Sequence, residues 1–163
     1  MSLSPHEVER DVVRLRMRSW RGAMVGYDVS AYLVGDVLVD TGFPRAASEL
    51  LAVVESARPR GVVLTHWHED HAGNAPTIAE RGVPMVMDAG CETRLRERPP
   101  IRFYRRVVWG WTKRLTSHVE RFDPSPLETI PATPGRLIRR GSALTRTGAP
   151  KTSARRPQSA SGT

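Results

Sequence analysis

The segment Thr65-His66-Trp67-His68-Glu69-Asp70-His71-Ala72-Gly73 constrains this chain more than any other. It packs three of the five histidines and an aspartate into the pattern H-x-H-x-D-H, directly after the apolar run Val62-Val63-Leu64. Imidazole and carboxylate donors at this density suit zinc or a similar first-row metal. Histidines at i and i+2 on an extended turn can project to one side and pinch a single ion. Asp70 and His71 follow where the chain turns toward a helix, so they can face a second ion or a bound water. The plain alternative is a polar surface loop that happens to be rich in histidine. The spacing favours the ligand reading, with His66, His68, Asp70 and His71 as the candidate metal ligands.

The surrounding pattern supplies a scaffold for such a loop. Val13, Leu15 and Met17 alternate with Arg14, Arg16 and Arg18, the signature of a half-buried strand. A glycine-containing turn over 21–26 leads to a second apolar stretch, Val29 to Val34. Gly35-Asp36 is a hairpin signal before Val37-Leu38-Val39. These three strands predict an antiparallel meander. Ala47, Leu50, Leu51, Val54 and Ala57 recur at helical spacing within 44–58, and Pro59 closes that helix. The strand Val62–Leu64 then delivers the histidine segment to one edge of a sheet. A short helix is expected over 74–81, ending at Gly82, and an edge strand over 83–87 because Pro84 cannot donate to a ladder. Ile101, Tyr104, Val108, Trp111 and Leu115 are spaced 3, 4, 3, 4 and predict an amphipathic helix over 101–115. Between residues 94 and 114 lie eight basic residues and one acidic one, so this helix reads as a basic face or a lid over an anionic substrate. Arg105 and Arg106 are its candidates for holding a carboxylate or phosphate. Alternation resumes over 118–122, and Leu127 to Ile130 reads as a further strand. His6 and His118 lie outside the metal pattern and read as solvent-facing.

The histidine segment, together with Val37-Leu38-Val39-Asp40-Thr41-Gly42 upstream and Pro134-Gly135 downstream, resembles the signature of the metallo-β-lactamase superfamily of metallohydrolases. The order and spacing agree over about residues 13–135. The resemblance implies an α+β fold, the first half of an αββα sandwich. It also implies that His66 and His68 bind one zinc ion, that Asp70 and His71 serve a second, and that Asp40 supports the site from behind. Zinc then lowers the pKa of a water, and the hydroxide attacks an ester, thioester, lactone, amide or phosphodiester, with Asp70 orienting it or carrying a proton. A small-molecule substrate is implied; no residue pattern selects which one. One departure limits the expectation. The family takes a further ligand from a histidine directly after its Pro-Gly, and here that position is Arg136, which has no lone pair to give. A weak or incomplete metal site is therefore expected, and a catalytically inactive fragment or binding module is the competing function.

Charge and composition divide the chain at the same place. Residues 136–163 hold seven basic residues and no acidic one, which leaves +1 of the total +8 for residues 1–135. The basic character belongs to the tail, and a nucleic-acid substrate is not expected. We expect a partial catalytic-type domain over 1–135 and a low-complexity, disordered basic tail over 136–163. A single cysteine, Cys91, allows no internal disulfide and suits a reducing cytoplasm, where it reads as a small buried residue. No stretch reads as a signal peptide or a membrane span. The Arg, Ala, Gly, Pro and Ser content after Gly135 is what a GC-rich gene yields in a shifted reading frame. Translating the other two frames downstream of codon 135 should therefore reveal a histidine beside Pro-Gly and later alternating strands; two frames without them overturn the idea.

Overall fold

A computed structural model describes residues 2–24 and 26–124. The expected domain boundary at 135, the basic tail and the strand over 127–130 lie outside the described residues. The architecture is α+β. One mixed sheet of six strands runs in sequence order: β1 (Ser2–Glu9), β2 (Val12–Arg18), β3 (Val29–Val34), β4 (Val37–Val39), β5 (Gly61–Val63) and β6 (Met85–Val86). The first four strands pair antiparallel, and β4, β5 and β6 pair parallel. The meander is therefore present, extended by one strand at the N-terminal edge. β1 was not legible because it is almost wholly exposed and carries Pro5, so it shows no alternation.

The core lies against one face of this sheet. Leu15, Met17, Val29, Ala31 and Leu38 meet Leu50 and Val54 of helix α2 (Ala47–Ala57), with Phe43 fully enclosed. A short 3-10 turn, Pro44–Ala46, precedes α2. The opposite face of β2 and β3 is polar. Arg14 Nε donates to Ser30 Oγ at 2.8 Å, Arg16 Nε donates to Asp28 Oδ2 at 2.7 Å, and Arg14 sits opposite Tyr32. Tyr32 on this face is left 37% exposed among the arginines. The arginine stems cover the strands and keep their charged ends in water.

Four helical details differ from the sequence expectation. The segment 20–24 is a short helix, α1 (Trp20–Met24), rather than a turn. The helix expected over 74–81 is α3 (Ala75–Ala79), with Gly82 in the left-handed region after it (φ 73°). Helix α4 (Ala89–Glu97) was not anticipated, although Asp88 caps it by accepting the Cys91 N–H at 3.0 Å. The helix expected over 101–115 is only α5 (Phe103–Trp109). Gly110 at φ 100° ends it, and the remaining apolar residues separate: Leu115 is buried while Trp111 is exposed. The segment 118–122 forms no strand, though Glu120 O accepts from Met85 N at 2.8 Å. Among the described residues no helix is long and apolar enough to cross a membrane.

The parallel half of the sheet is what positions the histidine segment. Beyond β4, a single parallel bridge joins Gly42 to Ala72, and Gly73 N donates to Gly42 O at 2.9 Å. This close approach leaves no room at Gly73: a Cβ there would meet Glu69 O, Pro44 Cδ and Gly42 O, two of them backbone atoms. Gly73→Ala should therefore destabilise the fold by about 1–3 kcal/mol, the usual cost of forcing an atom into a filled site. Urea unfolding measures this; an unchanged midpoint would show that the loop does not depend on the contact.

Candidate metal centre

Strand β4 is followed by Asp40, a buried residue held in the left-handed backbone region at φ 59°. Its N–H is fixed by Val63 O at 2.9 Å. Asparagine and aspartate tolerate this conformation better than other side chains. It turns the carboxylate toward the start of the histidine segment. Three donors meet it there: Thr65 N at 2.9 Å, Thr65 Oγ1 at 2.9 Å and His71 Nδ1 at 2.7 Å. Thr41 then sews the far end of the segment to the strand, its N–H and hydroxyl both donating to His71 O at 2.6 and 2.9 Å. Asn74 closes the arrangement by donating its amide to Thr41 O and Phe43 O at 2.8 and 2.9 Å.

The hydrogen bonds orient two imidazoles. A carboxylate only accepts, so His71 Nδ1 carries a proton, and in the neutral ring Nε2 keeps the lone pair. Thr65 Oγ1 lies 2.9 Å from Asp40 Oδ1 and 3.0 Å from His66 Nδ1, so it links the two side chains. One buried carboxylate thus steadies two imidazoles, His71 directly and His66 through Thr65. Burial lowers the His66 pKa from 6.5, and the neighbouring His71 and His68 lower it further, against the opposing pull of Asp40 and Asp70.

All four sequence-predicted residues come together. The His66 ring centroid lies 4.0 Å from that of His71 and 4.9 Å from that of His68. His71 Nε2 lies 3.9 Å from Asp70 Oδ2. The donor chemistry fits zinc, but the rings lean on one another rather than converging. His66 and His71 are tilted at 45°, and His68 stacks on Trp67 at 4.4 Å. Among the described residues no group of three or more His, Cys, Asp and Glu side chains stands ready to hold an ion. His118 and His6 are exposed and apart, as expected. Cys91 is buried, and burial, followed by the Asp88 charge, pushes its thiol up to about 11, so it is inert.

Glu69 was not anticipated at the site, and Arg105 has a partner other than the expected one. Glu69, inside the histidine segment, is 2% exposed, and its Oε1 lies 2.6 Å from Arg105 Nε of α5. The contact is an ion pair rather than an aligned hydrogen bond, since Oε1 has no hydrogen-bond donor. Arg105 Nη2 also donates to Asp70 Oδ1 at 3.2 Å. Arg105 is thus engaged with the loop's own carboxylates and is not free for an anionic substrate, contrary to expectation. Arg106 lies over Trp111, 4.3 Å from the ring centroid. Helix α5 does sit beside the histidine segment, and a small cleft of about 20 Å³ lies next to Trp67 and Glu69, rimmed by Arg94, Arg98 and Lys113.

A model of the metallo-beta-lactamase superfamily matches residues 24–87, which include Asp40 and the whole histidine segment. No curated protein matches the sequence. The fold is similar to that of the metallo-beta-lactamase FIM-1 from Pseudomonas aeruginosa in a mono-zinc form. The two are 18% identical, with a TM-score of 0.51 over 76% of this chain and 53% of that one. It is also similar to a metallo-beta-lactamase with an HARLDQ motif from Cronobacter sakazakii. That pair is 15% identical, with a TM-score of 0.52 over 73% of this chain and 47% of that one. A metallo-beta-lactamase from Hirschia baltica is 19% identical, with a TM-score of 0.50 over 60% and 48% of the two chains. The chain carries the metallo-β-lactamase fold and spans about half the length of these structures.

The lowered His66 pKa has a defined consequence. As pH falls through 6.5, unfolded chains protonate His66 while folded ones do not, so the folded state binds fewer protons and loses stability until its own lower pKa is passed. An NMR titration of the His66 ring should give a midpoint below 6.5, and His71→Ala should raise it. A midpoint at or above 6.5 in the unmodified protein would contradict the assigned environment.

Proposed function

We propose that this chain, with its metallo-β-lactamase fold, is built as a zinc-dependent hydrolase whose ligands are His66, His68, Asp70 and His71. The observation that carries this reading is the buried Asp40 carboxylate, which bonds His71 Nδ1 directly and reaches His66 Nδ1 through Thr65. A polar loop without such a role has no need of one buried carboxylate ordering two imidazoles. The likeness to a metallo-beta-lactamase in a mono-zinc form supports zinc as the metal. When bound, zinc supplies Lewis acidity toward water and toward a carbonyl or phosphoryl group. The chain's own residues do the rest. Asp40 holds the imidazoles in place through Thr65 and His71, and the Asp70 carboxylate is placed to hold or pass a proton beside them. The substrate is a small molecule with an ester, thioester, lactone, amide or phosphodiester bond. Arg94, Arg98 and Lys113 around the cleft beside Trp67 favour an anionic one. A single cysteine suits action in a reducing cytoplasm.

A second reading is a binding module that keeps the metal loop without turnover. It is favoured by Arg105 holding Asp70.

The test joins metal content to turnover. Purified protein should retain about one zinc by elemental analysis, and His66→Ala or His68→Ala should lose it with the fold intact by circular dichroism. His118→Ala, an exposed position that makes none of the loop's hydrogen bonds described above, should keep it. Hydrolysis of a chromogenic β-lactam, a thioester or an aryl phosphodiester separates the two readings: zinc without turnover of any of them favours the binding module. Zinc retained equally by the His66 and His68 variants would sink both.

A further inference from the structure

Asp70 is the one carboxylate among the four candidate ligands, and a cation of the chain itself already holds it. Arg105 Nη2 lies 3.2 Å from Asp70 Oδ1, and Arg105 Nε lies 2.6 Å from Glu69 Oε1. This guanidinium is not a surface charge making a chance contact. Its side chain is 20% exposed, Glu69 is 2% exposed, and the Arg105 Cζ stacks 4.8 Å from the Trp109 ring centroid. A flat guanidinium over an aromatic face, with carboxylates at its edge, is held on several sides at once. The helix that delivers it is tied down in turn. Ser19 Oγ donates to Val108 O at 3.3 Å, and Arg21 Nη1 donates to Val107 O at 3.2 Å, fastening α5 to α1.

We propose that Arg105 is an internal cation that competes with a second divalent metal ion for Asp70, so that the loop holds one ion at its histidines and excludes another. The inference rests on the zinc reading above and adds the stoichiometry and the residue that sets it. The physical reason is charge. Asp70 Oδ2 faces His71 Nε2 at 3.9 Å, so an ion drawing on both must take the carboxylate from Arg105. It would also place a dication beside a guanidinium that is only 20% exposed. That repulsion, in a partly desolvated site, is screened far less than at the surface. Linkage makes the competition reciprocal: what removes Arg105 from Asp70 strengthens the second ion, and a second ion weakens the hold of α5 on the loop.

The experiment is zinc titration of the full chain, with bound metal counted by elemental analysis after dialysis. The wild type should hold one equivalent. Arg105→Gln should gain a second, its affinity rising about tenfold or more. Because Arg105→Gln leaves the buried Glu69 carboxylate alone, the double variant Glu69→Gln with Arg105→Gln provides a form without that unpaired charge, and it should gain the second equivalent as well. Arg105→Lys keeps the cation and should stay at one. A merely structural arginine would lower stability in these variants without adding a metal. One equivalent in wild type and both glutamine variants alike overturns the inference and leaves the zinc reading standing. Two equivalents in the wild type also overturn it, as does an equal gain in Arg105→Lys. No zinc in any form overturns it together with the zinc reading.

Discussion

A buried carboxylate is costly unless every lone pair it turns inward finds a donor, and Asp40 is the place where this chain meets that cost. Leaving such a group unpaired costs about 1–3 kcal/mol, more when it is charged. The chain supplies three donors within 2.9 Å, all of them from residues that flank or belong to the histidine segment. The requirement therefore runs both ways. Asp40 cannot stay buried without Thr65 and His71, and His71 and Thr65 take their orientation from Asp40. The left-handed backbone at Asp40 and the parallel pairing of β4 with β5 are the structural means of bringing the two together.

The sequence made this site legible to an unusual degree because most of it is local. His66, His68, Asp70 and His71 sit within one turn of chain, so their clustering needs no tertiary information. Asp40 lies 31 residues before His71 and entered only through resemblance. What stayed hidden was the pairing of Glu69 and Asp70 with Arg105, which is a tertiary event. Glu69 fills a variable position of the pattern, and Arg105, marked only as one cation of a basic helix, carries no sign of which carboxylate it meets. The fold shows the same division. The helix α2 and strands β2 to β5 follow from strong periodicity. The strand β1 and the helices α1 and α4 were missed because they bury little and carry weak patterns. The length of α5 was overread because a 3-4 spacing continued past Gly110, where backbone geometry rather than hydrophobicity ends the helix.

The concentration of arginine between residues 94 and 114 has a use that composition could not reveal. Arg96 pairs with Glu92 one turn earlier on α4, Lys113 reaches Glu80 at 3.0 Å, and Arg98 and Arg106 lie over the Trp111 ring. Such contacts are individually weak where exposed. Together they fasten a poorly buried segment, in which α5 buries none of its residues, onto the edge of the domain that holds the histidines. The basic face is thus largely spent on the protein's own aromatic rings and carboxylates. Arg94, Arg98 and Lys113 also rim the cleft beside Trp67, each with a partner of its own: the Trp67 ring, the Trp111 ring and Glu80.

Charge balance around the loop explains why this fastening matters to chemistry. Asp40, Glu69 and Asp70 bring three negative charges to one small region, and the imidazoles bring none while neutral. Arg105 cancels one, which leaves a formal charge of −2. One divalent ion at the histidines closes that balance. A second ion would carry the region to +2 unless Arg105 withdrew or further carboxylates arrived, and the desolvated setting makes such an excess costly. The same arginine that secures α5 to the loop therefore sets how much positive charge the loop accepts. Anything that moves α5 away from the loop would change the metal capacity of the site without touching a histidine.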